Sequence, residues 1–216
     1  MAQISNGILG GFEGKVGTVS GFTRYGRSYM RVAVSTVTDK ATPARLAQRE
    51  KLKVCNIFMK AFTGTGVFSK TFPNYGHGGP GYNRAMKILM NKALYGTSPA
   101  YNIDYSKFLI SDAPLPVSQN AEVTTNGAGN LQFTWVNNSG DGTAKASDKV
   151  ILVVYFPELN QIIFSLDAAK RSSGTALLVT AVNKGLVAET WMGFVSSDEK
   201  TAADSVYTTV SSVRVH

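Results

Sequence analysis

From residue 117 to the C-terminus the chain is cut into short β-forming runs, and this regular cutting restricts the fold more than any other feature of the sequence. Runs rich in β-branched and aromatic residues recur at 119–125, 130–136, 149–156, 161–166, 174–182, 187–196 and 205–215. Glycine, asparagine, aspartate and serine separate them. Short strands at this spacing, with turn residues between, predict an antiparallel β-sandwich. Leu131, Phe133 and Trp135 alternate with Gln132, Thr134 and Val136, the period of a strand with one buried face. Trp191 and Phe194 are expected to anchor a later strand. The longest strongly apolar stretch, Val150 to Phe156, has the length of a strand. It falls far short of the roughly 18 apolar residues of a membrane helix.

The first 110 residues have a different rhythm. Glycines punctuate the start at Gly10, Gly11, Gly14, Gly17 and Gly21. A hairpin is predicted next, with arms Val16–Thr23 and Ser28–Val34 around the turn Arg24-Tyr25-Gly26-Arg27. Period two along the second arm puts Tyr29 and Arg31 on one face, so Arg24, Arg27 and Arg31 cluster with Tyr25 and Tyr29 among them. A helix is predicted from Pro43 to about Phe62, because Thr42 is a good N-cap and Pro43 suits the first helical position. Its expected apolar stripe is Leu46, Val54, Ile57, Phe58 and Ala61, with Arg45, Arg49 and Lys53 recurring along one flank. A second helix is expected over Tyr82–Tyr95, closed by Gly96. A short strand is expected over Tyr101–Ile110, and Pro114 and Pro116 mark a boundary. The expected fold class is α+β: a basic, glycine-rich hairpin and helical region over residues 1–113, then a sandwich over 114–216.

Charge divides the same way. Residues 1–100 hold 14 Lys/Arg against 3 Asp/Glu, whereas 101–216 hold 8 against 11. The overall balance of +8 therefore conceals a cationic front half and a mildly acidic back half. Such asymmetry points the front half toward an anionic or acidic partner. The residues placed to meet it are Arg24, Tyr25, Arg27, Tyr29, Arg31, Arg45, Arg49 and Lys53, because arginine and tyrosine together suit phosphate contacts, base stacking and protein interfaces alike.

The residues that most enzymes and metal proteins rely on are sparse. Cys55 is the single cysteine; it sits among Val54, Ile57 and Phe58 and reads as a small core hydrophobe. The two histidines, His77 and His216, are too far apart in sequence to begin a metal site or a triad. Gly76-His77-Gly78-Gly79-Pro80-Gly81 matches G-x-G-x-x-G in form. No buried strand leads into it and Pro80 interrupts the turn, so a dinucleotide site is rejected. Gly14-Lys15 lacks the remainder of a phosphate loop, and neither G-x-S-x-G nor HExxH occurs. The back-half acids Asp141, Asp148, Glu158, Asp167 and Asp198 fall in or near expected turns. No catalytic residue, cofactor or metal is expected.

Two resemblances add to this reading. Pro114-Leu115-Pro116 followed by the tryptophan strand resembles fibronectin type III and immunoglobulin-like modules. Over the whole chain, five features resemble an uncharacterised family of proteins from Bacteroidota and their tailed phages: Gly14-Lys15-Val16-Gly17, the hairpin ending Tyr29-Met30-Arg31, Thr42-Pro43-Ala44 leading to Gln48-Arg49, Ile103-Asp104-Tyr105-Ser106, and Phe133-Thr134-Trp135. That resemblance implies a structural protein of a virion, located there or in the cytoplasm before assembly. The expected function is non-enzymatic assembly near a portal, tail or capsid, in contact with other copies of itself and neighbouring structural proteins. The alternative is nucleic-acid binding through the basic front half. No membrane association is expected, and the opening MAQISNGILGGFEGK has no secretory pattern.

Overall fold

A computed structural model describes residues 3–4, 10–24, 26–34, 36, 39, 41–73, 80–126, 128–208 and 213–214. Tyr25, the glycine-rich run 76–79 with His77, and His216 lie outside the described residues. The fold is α+β. It separates into two compact units, residues 1–43 and 44–216.

The first unit is an antiparallel sheet in the order β1-β2-β3-β4, made of Gln3–Ile4, Phe12–Val16, Val19–Arg24 and Arg27–Val32. The expected hairpin is its β3–β4 half, and an additional strand, β2, pairs on the other side of β3. Gly21 in β3 is required by close approach: a Cβ there would lie 2.3 Å from the Phe12 carbonyl oxygen.

The second unit begins with α1 (Pro43–Lys60), then α2 (Val67–Thr71) and α3 (Gly81–Ile88), which runs on as a π turn over Leu89–Ala93. A short hairpin follows, β5 (Leu94–Thr97) with β6 (Ala100–Ile103), and a 3₁₀ turn at Tyr105–Lys107. The predicted second helix therefore ends before Leu94, because Leu94 and Gly96 pair with Ile103 and Tyr101 in that hairpin. The rest is strands: β7 (Gln119–Thr125), β8 (Leu131–Val136), β9 (Lys149–Phe156), β10 (Gln161–Ser165), β11 (Thr175–Leu178), β12 (Val187–Val195), β13 (Val206–Tyr207) and β14 (Val213–Arg214).

These strands form two antiparallel sheets. One has the order β7-β8-β11 and the other β10-β9-β12-β13, with β14 also on β12. Between the sheets lies one apolar cluster: Leu131, Phe133 and Trp135 of β8 and Ala176 and Leu178 of β11 meet Val150, Leu152, Val154 and Phe156 of β9 and Met192 and Phe194 of β12.

The opposite face of β9 and β12 is buried too. Ile151, Val153 and Tyr155 of β9 and Trp191 and Val195 of β12 join a second cluster with Cys55, Phe58, Met59 and Phe62, and with residues of α2 and α3. The helices are thus a third layer on the sandwich. Pro114 and Pro116 lie within the unit 44–216, and the described buried residues of the helices belong to the cluster that also holds Ile151, Val153 and Trp191. The Phe58 ring meets Tyr155, Phe108 and Tyr105 at 4.9, 5.1 and 5.7 Å between centroids. The buried stripe of α1 is Cys55, Phe58, Met59 and then Phe62, spaced as one helical face. Leu46 and Ile57, expected in that stripe, are exposed, since they point away from this face. Burial pushes the Cys55 thiol up, in keeping with its place in the core.

A buried ion pair closes one end of the sandwich. Arg171 is fully buried. Its Nε donates to Asp148 Oδ2 at 3.0 Å, Nη1 to Asn138 Oδ1 at 2.7 Å and Nη2 to the Pro116 carbonyl at 3.2 Å, while its guanidinium lies 3.7 Å from the Phe194 ring centre. Trp135 Nε1 donates to the Arg171 carbonyl at 2.8 Å. Substituting Arg171→Leu leaves Asp148 charged and buried without its partner. The expected loss is about 3–5 kcal/mol, read as a lower urea midpoint at unchanged slope; a midpoint equal to wild type contradicts this role.

Candidate functional site

The side chains singled out in the front half begin with the register of β3 and β4. Arg24 pairs with Arg27, Phe22 with Tyr29 and Ser20 with Arg31. Paired residues share a face in an antiparallel ladder, and alternate residues do so along a strand. Arg24, Arg27, Tyr29 and Arg31 therefore stand on one face, with Phe22 between them and Lys15 of β2 beside Ser20. The Phe22 and Tyr29 rings stack with centroids 5.5 Å apart, and the Arg31 guanidinium lies 5.6 Å from the Phe22 ring centre.

The reverse face carries Phe12, Gly14, Val16, Val19, Gly21, Met30 and Val32, with the polar pair Thr23 and Ser28 at the turn end. Burial does not follow this apolarity. Met30 is 70% exposed, Val32 75% and Val16 54%. One face of the sheet thus carries Arg24, Arg27, Arg31, Lys15 and Glu13 around Phe22 and Tyr29, and the other exposes Val16, Met30 and Val32.

Arg45, Arg49 and Lys53 belong to the second unit and line up along the exposed side of α1. Arg49 and Lys53 border a shallow groove with Leu52, Asn56, Ile57 and Lys60. The structure thus brings Arg24, Arg27, Tyr29 and Arg31 together on one face, and places the α1 cations as a separate row.

Sequence reasoning passed over a third group. β5, β6, the 3₁₀ turn, β12 and β13 converge on a cleft of about 490 Å³, lined by Tyr95, Ile103, Asp104, Tyr105, Ser106, Lys107, Glu189 and Tyr207. Glu189 is only 8% exposed. Tyr207 donates its hydroxyl to Glu189 Oε2 in a short hydrogen bond. Oε1 has no partner among the described residues. Burial raises the Glu189 carboxyl above the ordinary glutamate range, and the Tyr207 bond only partly opposes this. Burial, with the neighbouring Tyr155 and Glu189, holds the Tyr105 phenol well above its usual value and so keeps it neutral. At the rim Lys107 Nζ sits 2.9 Å from Asp104 Oδ2, and the Ser106 hydroxyl donates to Asp104 Oδ1 at 2.5 Å. The available signal was Glu189 itself, a lone acid inside the otherwise apolar run from Val187 to Val195.

Among the described residues no group of three or more His, Cys, Asp or Glu could hold a metal ion, and no helix is long and apolar enough to cross a membrane.

The raised Glu189 value has a signed consequence. Below the unfolded-state value, near 4.5, both states are protonated and Glu189 costs nothing. As pH rises through the folded-state value the buried carboxylate charges and stability is lost. Glu189→Gln removes this loss. The melting temperature of the variant relative to wild type should increase between pH 4 and pH 7.5 in thermal scans, and a constant difference refutes the assignment.

Residues 11–209 match the model of a family described as a family of unknown function (DUF6266). No match is found among curated proteins.

Proposed function

We propose, for this chain, which belongs to the family of unknown function DUF6266, the role of a non-enzymatic structural protein. It assembles in repeated copies through its N-terminal sheet, as a component of a virion. The observation that carries this reading is the open aliphatic face of that sheet, with Val16, Met30 and Val32 each more than half exposed. A single sheet layer gains its stability by burying one face against a second layer. Contiguous exposed apolar surface of this kind marks a protein–protein interface. A neighbouring subunit supplies the missing layer, and the cationic reverse face adds charge-assisted contacts.

The second unit supports the same reading from the other side. It buries two apolar clusters, one between its sheets and one beneath the helices. An incompletely buried sheet in each copy suits repeated contacts between copies, and many such contacts add by multivalency.

One observation favours a second reading. Arg24, Arg27, Arg31 and Lys15 surround the stacked Phe22–Tyr29 pair on a single face. Cations around exposed rings are the means by which single-stranded nucleic acid is bound without sequence preference. The aliphatic reverse face has no use in that reading, so assembly is preferred.

Light scattering after size exclusion should show species larger than the monomer at high protein concentration. Met30→Glu with Val32→Glu should shift the protein to monomer with little change in melting temperature. The cationic face predicts only a modest salt dependence of assembly. Loss of a nucleic-acid mobility shift as the steep power of salt set by counterion release, with the protein monomeric throughout, reverses the order of the two readings.

A further inference from the structure

The N-terminal sheet ends on a strand with an open edge. β4 is last in the order β1-β2-β3-β4, and Arg27–Val32 is exposed throughout. Bonded and non-bonded pairs alternate along an antiparallel ladder. The Ala33 N–H donates to the Thr18 carbonyl at 2.7 Å, in step with the β3–β4 register. Arg27, Tyr29 and Arg31 therefore direct their backbone groups at β3. Ser28, Met30 and Val32 direct theirs to the outer edge, where no strand pairs with β4 among the described residues. Edges are commonly blunted by proline or a bulge. β4 contains no proline, and its register with β3 runs unbroken from Arg27 to Val32.

The side chains select what can pair there. In an antiparallel meeting of two β4 edges, outward-directed groups must face outward-directed groups, which restricts the registers. With Met30 opposite Met30, Ser28 lies opposite Val32, and Tyr29 of each copy lies opposite Arg31 of the other. With Met30 opposite Ser28, Arg27 meets Arg31; with Met30 opposite Val32, Arg31 meets Arg31. Like charges directly opposite destabilise a strand pair, whereas a guanidinium is attracted to a tyrosine ring. Arg31 already lies 5.6 Å from its own Phe22 ring centre, and Phe22 stacks on Tyr29. The register centred on Met30 therefore joins the ring and guanidinium clusters of two copies on one face. On the other face it sets Met30, 70% exposed, against its own equivalent.

We propose that two copies of the chain associate edge to edge through β4, antiparallel, in the register that places Met30 opposite Met30. The contact is isologous: each copy gives and receives the same bonds. The two four-stranded sheets become one, and their exposed Val16, Met30 and Val32 side chains share one apolar surface. This rests on the assembly reading above and names the pair from which the assembly is built.

The full-length chain supplies the test, by sedimentation velocity over a concentration series. Met30→Pro removes the outward N–H and keeps the bonds to β3, as proline on an edge strand does. It should raise the concentration for half-association about tenfold or more. Met30→Lys and Met30→Glu, each alone, set like charges opposite and should weaken association, and an equimolar mixture of the two should restore it as a heterodimer. The same mixture at Val32 should associate no better than Val32→Lys or Val32→Glu alone, because Val32 lies opposite Ser28. Near-UV circular dichroism checks that each variant is folded, and should Met30→Pro fail to fold, the Lys–Glu mixtures carry the test. If wild type associates and folded Met30→Pro associates equally well, or the Met30 mixture is no better than its components, the β4 pairing is overturned while assembly stands. A Val32 mixture that gains as much as the Met30 mixture overturns the register. A wild type that is monomeric at every concentration instead overturns the assembly reading itself.

Discussion

The pairing of β9 with β12 is the constraint on which the second unit depends. The two strands run antiparallel over Lys149–Tyr155 and Val195–Glu189. Side chains on one face go into the sandwich, with Val150, Leu152 and Val154 beside Phe194, Met192 and Thr190. The other face, with Ile151, Val153 and Tyr155 beside Trp191, meets the helices. At ~25 cal/mol per Å² of apolar area, a strand pair buried on both faces contributes to two cores at once. Polar groups on such strands must then find partners inside. Trp191 Nε1 donates to the Phe108 carbonyl at 3.0 Å, and the Thr190 and Thr208 hydroxyls bond each other at 2.6 Å.

Arg171 shows the same economy at the edge of the sandwich. One guanidinium joins the 138–148 loop, the entry segment at Pro116 and the ring of Phe194. Burial alone depresses the arginine, and Asp148 opposes that. Asp148 Oδ2 also accepts the Lys145 backbone N–H, whereas Oδ1 has no partner among the described residues. The pair therefore specifies where loops and strand meet, while its net contribution to stability is small compared with the cost of breaking it.

The strands of the back half were legible because period two and turn residues are local signals; Gln119–Thr125 and Lys149–Phe156 occur with the bounds read from sequence. Thr42-Pro43 likewise marked the start of α1. What was not legible is non-local. The unbroken apolar run from Val150 to Phe156 fits a strand buried on both faces, but nothing in it says which segment supplies the second cover. Ile57 and Met59 are both apolar neighbours of Phe58, and only the sheet opposite α1 decides that Met59 is buried and Ile57 is not. Gly96 looks like a helix stop, yet the pairing of Leu94 with Ile103 ends the helix first. At the candidate site, period two placed Arg31 with Tyr29 correctly. The cleft was invisible because Tyr95, Tyr105, Glu189 and Tyr207 come from four separated stretches.

The two units differ in how their stability is supplied. In residues 44–216 a Cβ at Gly81 would lie 2.0 Å from the Phe68 carbonyl oxygen, a measure of how closely α3 is drawn onto α2. In residues 1–43 Gly21 is similarly tight against Phe12, so the sheet has a defined pleat and register. What it lacks is cover over Met30 and Val32. A segment that buries its apolar face only in a complex draws part of its stability from binding, and that part scales with the logarithm of partner concentration. Binding and ordering of such a face would then be one equilibrium.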